Sequence, residues 1–169
     1  MKNGNKDLAD KNQDNLSVHG WKLYVSDIFE NQLNQLIKEV ESIAEQDPDN
    51  FYNHPKYKLL IAIQDNIYRK ITLNPNDPKY RLFITLGKKH SHWRRVKKNN
   101  LPDRYRLFFQ FRSDSKTIIY AWFNDESTLR KDGAKTDVYT VFESMLKNGS
   151  PPSDWEALIK HASAMKKII

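Results

Sequence analysis

Two short segments place cations at alternate positions: Trp93-Arg94-Arg95-Val96-Lys97-Lys98 and Arg104-Tyr105-Arg106-Leu107-Phe108-Phe109. In an extended backbone, residues two apart share a face. Arg95 and Lys97 therefore point one way, and Arg94, Val96 and Lys98 the other. Val96 is the aliphatic member and marks its own face as the core side. In the second segment Tyr105, Leu107, Phe109 and Phe111 form the apolar set. Arg106 faces the opposite way, with Phe108 and Gln110. Neighbouring strands would then gather Arg95, Lys97 and Arg106 on one open sheet face. Such cations repel one another unless an anion lies among them. One reading is a phosphate-binding floor, whose donors could stabilise charge building on a phosphoryl group. The other is a solvated face whose Lys and Arg block edge aggregation.

The charge distribution favours the floor. The chain has 169 residues and a formal net charge of +7. Residues 79–117 hold twelve Lys or Arg and two acids, so this segment carries +10 and the rest of the chain −3. Nucleic acid is the leading partner for such a patch, with a membrane surface or an acidic protein as alternatives. Cysteine is absent, which excludes disulfides, thiolate metal sites and cysteine nucleophiles. His90 and His92 have the i, i+2 spacing of two imidazoles on one side of a strand, but no third ligand stands at a recognisable spacing, so no metal and no cofactor are expected. Neither a glycine-rich phosphate loop nor a paired-carboxylate signature occurs. No apolar run is long enough to span a bilayer, and the N-terminus lacks the apolar stretch expected of a secretory signal. A cytoplasmic protein without membrane contact is expected.

The positioning elements follow from periodicity. Residues 1–18 read as a disordered polar tail and 19–169 as a single domain. Trp21–Val25 is a short strand. A helix opens near Asp27, which is placed to cap it with Glu30 three residues on. Its buried stripe runs through Phe29, Leu33, Leu36, Ile37, Val40 and Ile43. After Asp47-Pro48-Asp49 a second helix begins near His54-Pro55, completing an antiparallel hairpin. Lys79–Gly87 is a short strand or an ordered loop. Trp93–Lys98, Arg104–Arg112 and Thr117–Phe123 form an antiparallel meander. Val138, Val141, Phe142, Met145 and Leu146 mark a further helix, with Tyr139 just off its stripe, a place suited to packing with a wet hydroxyl. Ser153-Asp154-Trp155-Glu156 reads as a capping box for a last helix with stripe Trp155, Leu158, Ile159, Ala162 and Met165. Helices packed on a small sheet give an α+β fold.

The chain resembles the YhaV-type toxins of bacterial type II toxin–antitoxin pairs. The resemblance is carried by Trp93-Arg94-Arg95-Val96-Lys97, Arg104-Tyr105-Arg106-Leu107-Phe108-Phe109, Trp122–Arg130, Lys135–Phe142 and Pro151-Pro152-Ser153-Asp154-Trp155. It extends in order over about residues 19–156. It implies a RelE-like α+β fold and a metal-independent messenger-RNA endoribonuclease that inhibits translation, acting on mRNA free or on the ribosome. It also implies neutralisation by a PrlF-type antitoxin, with operator DNA reached only through the antitoxin complex. The family's site positions fall on Arg95, Lys97, Arg106, Arg130 and Tyr139. Arg95 and Arg106 would stabilise the phosphorane, Lys97 would act as base or phosphate ligand, and Tyr139 as a stacking or acid–base partner. Lys88, Lys89, His92, Arg94, Lys98 and Arg104 are the neighbouring RNA-binding candidates. The competing class is a non-catalytic RNA- or ribosome-binding module using the same basic strands.

Overall fold

A computed structural model describes residues 15–167. Its sheet has six strands: β1 (Ser17–Val18), β2 (Trp21–Val25), β3 (Arg94–Val96), β4 (Leu107–Arg112), β5 (Thr117–Phe123) and β6 (Ser163–Ala164). The helices are α1 (Asp27–Gln46), α2 (Pro55–Asp65), α3 (Val138–Lys147) and α4 (Trp155–His161). The strand order is β1-β2-β5-β4-β3, and β6 also pairs with β2. The β3-β4-β5 meander is antiparallel as expected, whereas β2 runs parallel to β5, so the sheet is mixed and the fold α+β. Of the expected 1–18 tail, residues 1–14 lie outside the described residues, and Ser17–Val18 pairs with Trp21-Lys22.

Both faces of the sheet are covered, which corrects the expectation of an open face. Leu23, Val25, Val96, Leu107, Phe109, Ile118 and Tyr120 pack under the α1–α2 hairpin with Phe29, Leu33, Leu36 and Ile63. Trp93, Phe108, Ile119, Ala121 and Trp122 pack under α3 and α4 with Val138, Tyr139, Phe142, Leu146 and Leu158. Sequence parity separated these two sets of side chains, but it left the second face without a cover. The face of Arg106 carries Phe108, which is fully buried, so its large apolar surface must lie under a helix. Phe142 is the centre of that second core, 4.1 Å from the Phe108 ring and 5.0 Å from Trp93 between centroids. An irregularity in the β4–β5 register inserts Ala121, so that Phe108 faces Trp122 while Phe109 faces Tyr120. A bulge of this kind turns Ala121 and Trp122 to the same side.

Three local expectations change. Ser26, not Asp27, is the N-cap of α1: its Oγ accepts from the Phe29 N–H at 3.1 Å while its hydroxyl donates to the Ala121 carbonyl at 2.7 Å. Asp154, not Ser153, caps α4, accepting from the Ala157 N–H. The last helix stops at His161 rather than running on through Met165. Ser163–Ala164 instead joins β2, and the Met165 N–H donates to the Leu23 carbonyl at 2.9 Å. Lys79–Gly87 is a sequence of turns with a single bridge from Arg81 to Arg94.

The buried Ser26 hydroxyl serves two backbone groups from different elements, the helix start and the central strand. Ser26→Ala should therefore cost about 1–2 kcal/mol of stability, read as a lowered denaturation midpoint with an unchanged m value. An unaltered midpoint would show that water replaces both contacts.

Candidate active site

Tyr139 collects the guanidinium groups that the sequence analysis singled out. It stands in the first turn of α3 and is 8% exposed. The guanidinium carbons of Arg130, Arg95 and Arg106 lie 5.1, 5.8 and 6.0 Å from the centre of its ring. Arg106 Nε donates to the Tyr139 hydroxyl at 3.0 Å. Three cations share one aromatic ring, whose negative faces attract such groups.

Each arginine is held by a different element. Arg95 stands in the middle of β3, opposite Phe108, and its Nη1 donates to the Arg81 carbonyl at 2.7 Å. Arg106 precedes β4 and is 6% exposed. Its Nη1 donates to the Tyr105 carbonyl at 2.8 Å, and its backbone N–H donates to Asn124 Oδ1 at 2.7 Å. Fully buried Asn124 also donates through Nδ2 to the carbonyls of Arg104 and Thr128. It thereby docks the loop that carries Arg130 against the segment that carries Arg106. The Arg130 N–H completes this seam by donating to the Arg104 carbonyl at 2.9 Å.

Asp137 fixes the remaining geometry. It caps α3 by accepting from the Tyr139 N–H, accepts from the Lys131 N–H at 2.6 Å, and pairs with Arg130 Nη1 at 2.7 Å. Its burial would raise the carboxyl pKa, but the hydrogen bonds from Arg130, Lys131 and Tyr139 outweigh that and hold it below the usual aspartate value. Reciprocally, the bond to Asp137 raises the Arg130 pKa. The sequence reading missed Asp137 and Asn124 as positioning residues. An aspartate just before an apolar helical stripe is an N-cap signal, and that signal was available for Asp137. Asn124 offers none, because its partners lie in two segments, Arg104–Arg106 and Thr128, that only the fold brings together.

Other candidates lie elsewhere. Lys97 is exposed beyond the end of β3 and lines a cleft with Lys79, Tyr80, Val96, Lys98 and Asn99 instead of meeting Tyr139. The expected trio of Arg95, Lys97 and Arg106 is thus replaced by Arg95, Arg106 and Arg130. Arg94 sits on the hairpin side of the sheet. Its guanidinium lies 5.5 Å from the Phe111 ring centre and donates to the carbonyls of Ser91, His92 and Trp93. Arg104, Lys88, Lys89 and Lys98 are exposed. Both histidines are pinned to the loop before α4. His90 Nδ1 lies 2.7 Å from Ser153 Oγ, to which the Trp93 indole also donates, and burial lowers the pKa of this imidazole. His92 Nε2 meets the Ser153 carbonyl at 2.6 Å, so the proton is on Nε2. Gln110 donates to the same carbonyl. No group of three or more His, Cys, Asp or Glu side chains among the described residues could hold a metal ion.

Comparisons with known proteins agree with the resemblance. Residues 23–163 match the model of a family described as a toxin with endonuclease activity, of a toxin–antitoxin system. The chain is 44% identical over 144 residues to the ribonuclease toxin YhaV of Escherichia coli (strain K12), covering 85% of this chain and 92% of that protein. It is 45% identical over 142 residues to a toxin YhaV of Escherichia coli O6:H1, covering 83% and 91%. No solved structure matches it.

The Asp137 contacts predict a pH dependence. A carboxyl whose folded-state pKa is depressed contributes its stability above the unfolded-state pKa and loses it as pH falls through the folded value. Asp137→Ala should cost about 2 kcal/mol at neutral pH, with a difference from the parent chain that shrinks on acidification below the usual aspartate range. Chemical denaturation at several pH values measures it. A difference independent of pH would assign the loss to packing.

Proposed function

Because the chain belongs to the YhaV toxin family, we propose that its Arg95–Arg106–Arg130–Tyr139 cluster is the centre at which it cleaves RNA. The protein is the toxin, an endoribonuclease, of a toxin–antitoxin system. The observation that carries the assignment of the site is the convergence of three guanidinium groups on one buried tyrosine, with Arg106 hydrogen-bonded to the tyrosine hydroxyl. An unliganded cation cluster of this density is costly, and an anionic phosphodiester relieves the cost.

The reaction that suits these groups is internal transesterification. The RNA 2′-oxygen loses its proton, attacks the adjacent phosphorus and expels the 5′-oxygen, which gains a proton, leaving a 2′,3′-cyclic phosphate. Arg95 and Arg106 stabilise the added negative charge on the non-bridging oxygens, a contribution that grows only as the transition state forms. The Tyr139 oxygen accepts from Arg106, so its own O–H remains to donate to a phosphoryl or leaving oxygen. Arg130, held by Asp137, adds a third cation. Lys97 stands outside the Tyr139 cluster, exposed past the end of β3, so its role is that of a phosphate ligand, or of acceptor of the 2′-proton, for bound RNA that extends to it. The chemistry draws on the chain's own groups and needs no cofactor.

The same reading covers the finer properties. The domain over 19–169 is RelE-like, the substrate is messenger RNA, free or on the ribosome, and the antitoxin is of the PrlF type. The protein acts in the cytoplasm. A purely RNA-binding module would use the same cations, but the family's endonuclease activity favours catalysis.

Analysis of the product ends tests the chemistry: purified protein should leave a 2′,3′-cyclic phosphate or 3′-phosphate, and other ends would overturn the mechanism. Arg106→Ala should abolish cleavage while circular dichroism shows a retained fold. Tyr139→Phe keeps the ring and loses the hydroxyl, so cleavage should drop about 10²–10⁴-fold while RNA affinity changes little. Binding should weaken with salt, with a log–log slope of roughly −3 if about four single-strand phosphates are neutralised. A flat salt response would detach the basic segment from RNA.

A further inference from the structure

Phe83 is the only exposed member of the eight phenylalanines, at 68%, and Ile84 beside it is 71% exposed. The exposure is not slack in the chain. Leu82 and Leu86, on either side, are 1% exposed and belong to the core that contains Tyr139 and Phe142. The turn is closed by hydrogen bonds from the Thr85 N–H to the Leu82 carbonyl and from the Gly87 N–H to the Ile84 carbonyl. Phe83 itself has φ of +51°, a left-handed conformation that disfavours a bulky side chain. The fold therefore anchors both ends of this turn and holds an aromatic ring outward at a conformational cost. Strained, exposed positions of this kind are where function is sought.

The turn is also wired to the candidate site. The Arg81 carbonyl, two residues before Phe83, accepts from Arg95 Nη1 at 2.7 Å, and that same guanidinium lies over Tyr139. Exposed Arg81, Lys88 and Lys89 flank the turn, and no acidic residue occurs between Asp77 and Asp103. A flat ring with a cationic rim fits an unstacked nucleobase and its phosphates.

We propose that Phe83 is a stacking platform for a nucleobase of the single-stranded RNA whose backbone enters the Arg95–Arg106–Arg130 cluster, and so a substrate-positioning residue outside the reacting groups. This rests on the assignment of that cluster as the RNA-cleaving centre. Ile84 forms an apolar lip beside the base. The platform sets which nucleotide, counted along the strand from the scissile phosphate, is held before cleavage.

The test uses the full chain and a short, mixed-sequence, 2′-O-methyl oligonucleotide, which cannot undergo the internal attack. Phe83→Ala and Phe83→Leu should each weaken its binding roughly tenfold, because both remove the aromatic face, and Phe83→Tyr should restore it. Phe83→Gly should also weaken binding yet raise Tm, because glycine accepts φ of +51° without strain. With cleavable RNA, the loss should appear chiefly in KM. Wild-type affinity in Phe83→Leu would overturn the proposal, since apolar bulk would then suffice. Unchanged RNA affinity in Phe83→Ala together with weakened antitoxin binding would overturn it in favour of a protein-docking loop. The site assignment is judged separately by Arg106→Ala: full cleavage in that variant would remove the cluster as the centre while leaving the effect of Phe83 on oligonucleotide affinity to be read on its own.

Discussion

A single buried carboxylate makes the guanidinium cluster possible. Three arginines around one ring would scatter into solvent if nothing opposed their mutual repulsion. Asp137 supplies the opposing charge and simultaneously caps the start of α3. Because one side chain performs both tasks, the start of the helix, the loop bearing Arg130 and the position of Tyr139 are coupled. The remaining cations are restrained by neutral groups. Arg95 is fastened to the Arg81 carbonyl and Arg106 to the Tyr105 carbonyl. Donation to carbonyls leaves the cationic charge uncancelled, so the cluster keeps a strong appetite for an anion while staying ordered. That combination of preset donors and unspent charge is what electrostatic preorganisation requires.

Much of this was legible in the chain. Alternation on β3 and β4 correctly put Arg95 and Arg106 on the same side as Phe108, because strand parity is a strict geometric rule. Lys97 lies one residue past the end of β3, which stops at Val96, and lines a separate cleft with Lys79 and Tyr80. The covered second face was missed for a different reason. Periodicity says that α3 and α4 have apolar stripes but not which surface those stripes meet. The caps were displaced by one residue because Ser26-Asp27 and Ser153-Asp154 each offer two adjacent capping side chains. At Ser26 the decisive factor is the additional bond to Ala121. At Ser153 the hydroxyl is already engaged by Trp93 and His90, so Asp154 takes the helix. Such competition depends on partners distant in sequence.

The His90–Ser153–Trp93 knot has a structural place in this scheme. It joins the segment leading into β3 to the loop before α4, and Gln110 ties β4 to the same serine. Arg95 is two residues from Trp93. The histidines thus stabilise the base of the strand that presents an arginine, and their rings are committed to Ser153. Family membership gives the chain its activity, while these contacts explain how a small α+β fold with no cysteine keeps several strongly basic segments in register.

The pairing of β6 with β2 bears on when the protein becomes competent. Strand β2 precedes β6 by most of the described chain, and the Leu23 carbonyl accepts from the N–H of Met165. The cluster likewise draws Arg130 and Tyr139 from the last third of the sequence. During translation, β2 and the arginines of β3 emerge before their partners, so the sheet edge and the site stay incomplete until those partners follow. Contacts between such distant segments also form late in folding. The cluster therefore cannot assemble from Arg95 and Arg106 alone: it needs the segment through Asp137 and Tyr139, which follows them in the chain.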